Sequence, residues 1–153
     1  MNILIIEDNP GDLYLFKRTI QNHAKKPYKV MDVENGRDAL DFIQKTGNFK
    51  DAFAPDLIFL DWNIPIKHGR DVLEFLKSHA EYRVIPVIVF STSENYADII
   101  SCYKGYANGY FRKPNDYHEF SNMMENVMRF WSMITFSPSV KADKLVVENS
   151  KMS

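Results

Sequence analysis

The sequence predicts an α/β doubly wound domain, a parallel five-stranded sheet with helices on both faces. Two observations carry that expectation. Five short β-branched and aliphatic runs alternate along the chain with segments of helical periodicity, and three of the runs lack any polar alternation. Strands buried on both faces read in this way, and antiparallel strands with one wet face do not. Right-handed crossovers between parallel strands then leave few alternatives to a three-layer sandwich.

The elements follow in order. Ile3-Leu4-Ile5-Ile6 forms the first strand, closed by Glu7 and Asp8. Asp8-Asn9-Pro10 supplies a capping side chain with proline in the first helical turn, and Leu13, Phe16 and Ile20 then fall at helical spacing. A second strand covers Lys29–Val33, Asn35-Gly36 marks a turn, and Ala39, Leu40 and Ile43 line the next helix. Leu57-Ile58-Phe59-Leu60 is the third strand. His68-Gly69 turns into a helix bearing Val72, Phe75 and Leu76. Val87-Ile88-Val89-Phe90 is the fourth strand and residues 109–111 the fifth, with Lys113-Pro114 as a turn into a last helix over about 115–134. Polar residues such as Lys17, Arg18, Asp41, Gln44, Glu74 and Lys77 occupy the outer faces of these helices.

The 153 residues suit one domain, expected over 1–136, with a polar tail over 137–153 too short for an effector module. An apolar fraction of 45%, with 14% aromatic residues, is enough for a core. Nineteen basic residues against twenty acidic ones give a charge of −1, without the basic signature of a nucleic-acid binder. Cys102 is the only cysteine, which removes disulfide frameworks and cysteine zinc sites. The first apolar run is too short for a signal peptide or a membrane span, so a soluble cytoplasmic protein is expected.

In a doubly wound sheet, function gathers where strands end at the carboxyl edge. Those ends carry Glu7-Asp8, Asp61-Trp62-Asn63, Ser91-Thr92 and Lys113-Pro114. Strands one and three should be neighbours, which brings three carboxylates together. Each raises the pKa of the others, and a hard divalent cation relieves that conflict; Mg²⁺ suits a sparse carboxylate site completed by water and phosphate oxygens. An aspartate oxygen can hold an acyl phosphate, with the cation, Lys113 and Ser91 meeting the charge on the transferring oxygens. Each feature alone has a bland explanation: a helix cap, a turn aspartate, a strand-end serine, a loop lysine. Four of them at four strand ends of one sheet are not explained that way.

Together, Ile5-Ile6-Glu7-Asp8, Leu60-Asp61-Trp62-Asn63-Ile64-Pro65 with Gly69, Val89-Phe90-Ser91-Thr92 and Tyr110-Phe111-Arg112-Lys113-Pro114 resemble a response-regulator receiver domain (CheY-like) over roughly residues 2–131. The resemblance implies a flavodoxin-like fold with strand order 2-1-3-4-5. It implies that Asp61 accepts a phosphoryl group from a sensor histidine kinase, that Asp8 binds Mg²⁺ directly and Glu7 mainly through water, and that Asn63 lends its backbone carbonyl. Ser91 would be the switch hydroxyl, Lys113 its ionic partner, Tyr110 an aromatic residue that rotates inward as Ser91 moves, and Lys113–Pro114 a cis bond. Glu7-Asp8-Asn9-Pro10-Gly11-Asp12, Ile85-Pro86-Val87, Ser91-Thr92-Ser93 and Phe130-Trp131 further resemble small single-domain regulators paired with cyanobacterial phytochromes and bacteriophytochromes. Thr92 is larger than the alanine or glycine common in receivers, which would narrow access to Asp61.

Without an effector module, the output is altered binding through a surface. On the last helix, Phe120, Met124, Val127, Trp131 and Ile134 form a core stripe, and Met123, Met128 and Phe130 widen it to about 160° at about 100° per residue. With Tyr103, Tyr106, Tyr110 and Phe111 nearby, the surplus predicts a homodimer through the last two helices and last strand, against the simpler possibility that methionines fill core gaps. His23, His68, His79 and His118 are scattered and read as surface residues; Cys102 reads as a small core residue. A phosphorylation-independent adaptor of the same fold is the alternative function. A flavodoxin would want a hydroxyl- and glycine-rich first loop, and an aspartate-type phosphatase a second aspartate at position 63; the chain has neither.

Overall fold

The computed structural model describes residues 1–23 and 28–133. Five strands, β1 (Asn2–Ile6), β2 (Lys29–Val33), β3 (Leu57–Asp61), β4 (Val87–Ser91) and β5 (Gly109–Arg112), form one parallel sheet in the order β2-β1-β3-β4-β5. Five helices connect and close it: α1 (Pro10–His23), α2 (Gly36–Gln44), α3 (Gly69–Ser78), α4 (Tyr96–Lys104) and α5 (Tyr117–Ser132). The predicted doubly wound sandwich is the observed fold. The tail expected at 137–153, and Ile134 of the expected core stripe, lie outside the described residues.

Alternation along each strand divides the core into two layers. Leu4, Ile6, Ile58, Leu60, Val87 and Val89 face α2, α3 and α4 and meet Phe42, Val72, Leu76 and Cys102. Ile3, Ile5, Leu57, Phe59, Ile88 and Phe90 face α1 and α5. There Phe16 is edge-on to Phe90 and Phe120, with ring centroids 5.0 and 5.5 Å apart, a geometry aromatic rings favour.

Helix starts carry much of the local specification. Asn9 accepts from the Asp12 amide ahead of α1, and Asn35 caps α2 through the Asp38 amide. His68 caps α3, with Asp71 returning a bond to the His68 amide. Asn35-Gly36 and His68-Gly69 are therefore cap-and-first-residue pairs. A Cβ on Gly69 would lie 2.8 Å from the Trp62 carbonyl, whose oxygen accepts the Gly69 amide, so this glycine lets α3 close on the end of β3.

Two expectations need correction. No peptide bond is cis among the described residues, so Lys113–Pro114 is trans. Trans remains the lower-energy form of an X–Pro bond by about 0.5–1 kcal/mol, and Lys113 leaves β5 with its amide on the Ser91 carbonyl at 2.8 Å. Met128 is fully buried with Phe120, Met124 and Val127, while Trp131 is only partly covered. The core stripe of α5 thus includes a residue assigned to the surplus, and the true excess narrows to Met123 and Phe130.

Candidate functional site: an acidic cluster at the carboxyl edge

Register explains why the acids meet. Ile6 pairs with Leu60, so Glu7 and Asp8 emerge beside Asp61 at the ends of β1 and β3. Oxygens of Glu7, Asp8 and Asp61 lie within 4.8 Å of one another. Lys113, arriving from the end of β5, places its ammonium 2.6 Å from Glu7 Oε2, 2.8 Å from Asp12 Oδ2 and 3.3 Å from Asp61 Oδ2. Glu7 is 1% exposed, Lys113 6% and Asp61 9%, whereas Asp8 faces solvent.

Three carboxylates, Glu7, Asp12 and Asp61, thus surround one ammonium, and Asp8 adds a fourth acid beside them. Burial, reinforced by the Asp61 charge, pushes the Glu7 carboxyl up to about 7 against the pull of Lys113. Burial alone would lower the Lys113 ammonium, but the charges of Asp61 and Glu7 and the bond to Asp12 outweigh it and hold it above the ordinary lysine range. The surplus of hard oxygen donors fits a divalent metal, which would be held by Glu7, Asp8 and Asp61.

Asp61 and Glu7 are held alike. Asp61 Oδ1 accepts the Asn63 amide at 3.2 Å and its Oδ2 faces Lys113 at 3.3 Å. Glu7 is pinned between the Asn9 amide and Lys113, which lies nearer to it at 2.6 Å.

On the other flank, Ser91 is fully buried at the end of β4. Its Oγ accepts from Asn63 Nδ2 at 3.3 Å and from the Ser93 amide at 3.1 Å. The Tyr110 hydroxyl donates to the Ser93 carbonyl at 2.9 Å and also meets the Ser91 hydroxyl. Burial raises the Tyr110 phenol above its ordinary pKa, partly offset by the Ser91 bond. Thr92 is exposed. The structure therefore gathers Glu7, Asp8, Asp61, Asn63, Ser91, Lys113 and Tyr110 at one edge.

Two members of the site escaped the sequence reading. Asp12, in the first turn of α1, was one acid among twenty; only the placement of β5 brings Lys113 to it. His68 was read as a surface residue, yet it caps α3 and its Nε2 lies 3.3 Å from Asn63 Oδ1. Imidazole is an uncommon cap, so composition offered no cue.

The expected interface residues divide. Tyr106 is 76% exposed, at a left-handed φ of 66° unusual for a bulky residue, and Tyr103 and Phe130 also face outward. Phe111 stacks on Phe90 at 5.4 Å and, like Met123, packs partly against the core. A cavity of about 480 Å³ lies between Phe111, Met123, Phe130 and Trp131.

This sheet with its acidic edge is the architecture of a signalling switch, and the chain belongs to the response regulator receiver domain family, whose model matches residues 3–125. It is similar to Response regulator Rcp1 of Synechocystis sp., with 31% identity across 84% of this chain and 87% of the relative. The Mn²⁺-bound form of Rcp1 superposes with a TM-score of 0.85 at 30% identity, covering 90% of this chain and 98% of that one. The phosphorylated cyanobacterial phytochrome response regulator RcpA gives 0.86 at 34%, over 90% and 98% of the two chains. The bacteriophytochrome response regulator RtBRR gives 0.68 at 28%, over 95% and 89%. Receiver domains are signalling switches of two-component systems. No helix among the described residues is long and apolar enough to cross a membrane.

Proposed function

We propose that this chain is a cytoplasmic response regulator that accepts a phosphoryl group on Asp61 from a sensor histidine kinase of the phytochrome class, and that it signals by altered protein binding rather than by turnover. One observation carries the assignment to Asp61. Like Glu7 it faces Lys113 with one oxygen and accepts a backbone amide with the other, but of the two it is the more open, 9% exposed against 1%, and the more loosely held by Lys113, at 3.3 Å against 2.6 Å. Mg²⁺, held by Glu7, Asp8 and Asp61 with the Asn63 carbonyl, would neutralise charge on the incoming phosphoryl group. The related Rcp1 has a Mn²⁺-bound form and RcpA a phosphorylated one, which supports the reading.

Lys113 would pair with a phosphoryl oxygen, and the Ser91 hydroxyl would turn toward another. That turn would break its contacts with Asn63 and Tyr110, carrying the event to the α4–β5–α5 face. Acetyl phosphate with Mg²⁺ followed by intact-mass spectrometry tests this: a gain of one phosphoryl group is expected, and none in Asp61→Ala. An unchanged mass in the native chain overturns it and favours the adaptor, and the same gain in Asp61→Ala overturns the assignment to Asp61.

The α4–β5–α5 face would also hold a second copy, with Tyr103, Tyr106 and Phe130 supplying exposed aromatic surface and Phe111 and Met123 backing it. Residues 137–153 would follow the receiver as a polar tail. Sedimentation at tens of micromolar should show a dimer in at least one phosphorylation state; a monomer in both removes the dimer.

A further inference from the structure

A run of hydrogen bonds joins the start of α3 to the end of β4, and its direction is fixed. The Arg70 amide can only donate, and it lies 3.1 Å from His68 Nδ1. Nδ1 is therefore the lone-pair nitrogen, and in the neutral ring Nε2 carries the proton. Nε2 then donates to Asn63 Oδ1 at 3.3 Å, which in turn settles the carboxamide: Asn63 Nδ2 points at Ser91 Oγ, also at 3.3 Å. Ser91 Oγ accepts a second bond from the Ser93 amide. Tyr110 ends the run on the Ser93 carbonyl. The imidazole itself is held in place edge-on against Trp62, with ring centroids 5.2 Å apart.

We propose that His68 is a positioning residue for the switch: by fixing which end of the Asn63 carboxamide faces Ser91, it tethers the Ser91 hydroxyl to Asn63. This rests on the reading that Asp61 takes the phosphoryl group. Asn63 is exposed, so its carboxamide would turn freely in water without a partner; the cap of α3 supplies that partner from rigid structure. In the turn of the Ser91 hydroxyl toward a phosphoryl oxygen proposed above, the bond to Asn63 is given up, and the tether opposes that step by the worth of one modest hydrogen bond.

His68→Asn separates the two roles of the ring. Asparagine is among the best helix caps and can still accept the Arg70 amide, but it cannot reach Asn63 as Nε2 does. The test titrates beryllofluoride, a phosphoryl mimic, in the presence of Mg²⁺. Half-saturation should fall about 3- to 10-fold in His68→Asn, the value of one neutral hydrogen bond. In an Asn63→Ala background the same change should have no further effect. Rescue by His68→Gln, whose amide nitrogen extends toward Asn63, should restore the native value. Half-saturation equal to wild type in His68→Asn, or an equal shift with and without Asn63, overturns the proposal. A wild-type response in Asp61→Asn would instead overturn the phosphoacceptor assignment. Imidazole ¹⁵N shifts of the unmodified protein give a check that needs no variant: the Nε2–H tautomer of His68 is expected, and Nδ1–H removes the relay.

Discussion

Lys113 and Lys77 are the same residue withdrawn from water at opposite edges of one sheet, and their surroundings have opposite character. Lys113 at the carboxyl edge meets Glu7, Asp12 and Asp61. Lys77, in the last turn of α3 near the amino edge, meets only neutral oxygens among the described residues: the carbonyls of Ile85 at 2.7 Å and Arg83 at 3.1 Å, and Asn108 Oδ1 at 3.5 Å. Carboxylates hold the first ammonium above its ordinary pKa, while burial, opposed by no counter-charge, lowers the second to about 8. The carboxyl edge is thus built to respond to a change of charge, and the amino edge to close the structure. At the amino edge Asn108 also accepts the Val87 amide and returns its own amide to the Val87 carbonyl, tying the starts of β4 and β5 to α3.

Removing the cation from the charged edge should have the largest effect. Lys113→Ala leaves Glu7 and Asp61 buried without a counter-charge, and breaking such a pair costs about 3 kcal/mol or more. Urea unfolding without divalent metal should show that loss, and Mg²⁺ should recover at least half of it by taking over the ammonium's role. Equal deficits with and without Mg²⁺ would show that the edge is held by packing rather than by charge. Phosphoryl uptake in Lys113→Ala should survive better than the binding response, because Lys113 reads the added charge; a loss of uptake as complete as in Asp61→Ala contradicts that.

A smaller effect isolates the metal from the fold. Asp8 is exposed and carries no ion pair with Lys113, so Asp8→Ala should change metal-free stability by no more than about 0.5 kcal/mol. Mg²⁺ at a hundred times its Kd should stabilise the native chain by about 2.7 kcal/mol and the variant hardly at all. Thermal unfolding with and without Mg²⁺ reads both quantities. A full Mg²⁺ response in Asp8→Ala would place the ion elsewhere.

Much of the charged edge was legible in the sequence because it follows from strand ends: once β1 and β3 are neighbours, Glu7, Asp8 and Asp61 must converge. The links made from helices were less visible. Asp12 reaches Lys113 across the sheet from a helix, a contact created by topology rather than by spacing. His68 and Asn63 are five residues apart, yet their bond depends on Gly69 allowing α3 to close on β3. Lys77 looked like any outer-face lysine, since nothing local shows that α3 ends against the start of β4. Met128 was misplaced because periodicity gives the angle of a side chain and not the width of its groove; α5 packs along α1 as well as over the sheet, so its core face is wider on that side.

The smallest effect is a pH dependence, and it separates the two lysines cleanly. In the folded chain Lys77 gives up its proton near pH 8, and in the unfolded chain near 10.5. Between those values the unfolded state binds the extra proton, so Lys77 contributes a stability that rises with pH, by no more than about 1.4 kcal/mol per unit and less where solvent reaches the amine. Other groups titrate in that range, so the measurable quantity is the difference between the native chain and Lys77→Met. Unfolding free energies from pH 7.5 to 10.5 should show the native chain gaining on the variant as pH rises. Lys113 should give no such gain, because its carboxylates keep it charged throughout. A native-minus-variant difference that stays flat or falls with pH would mean that the amino edge supplies Lys77 with a charge partner after all, and the contrast between the two edges would fail.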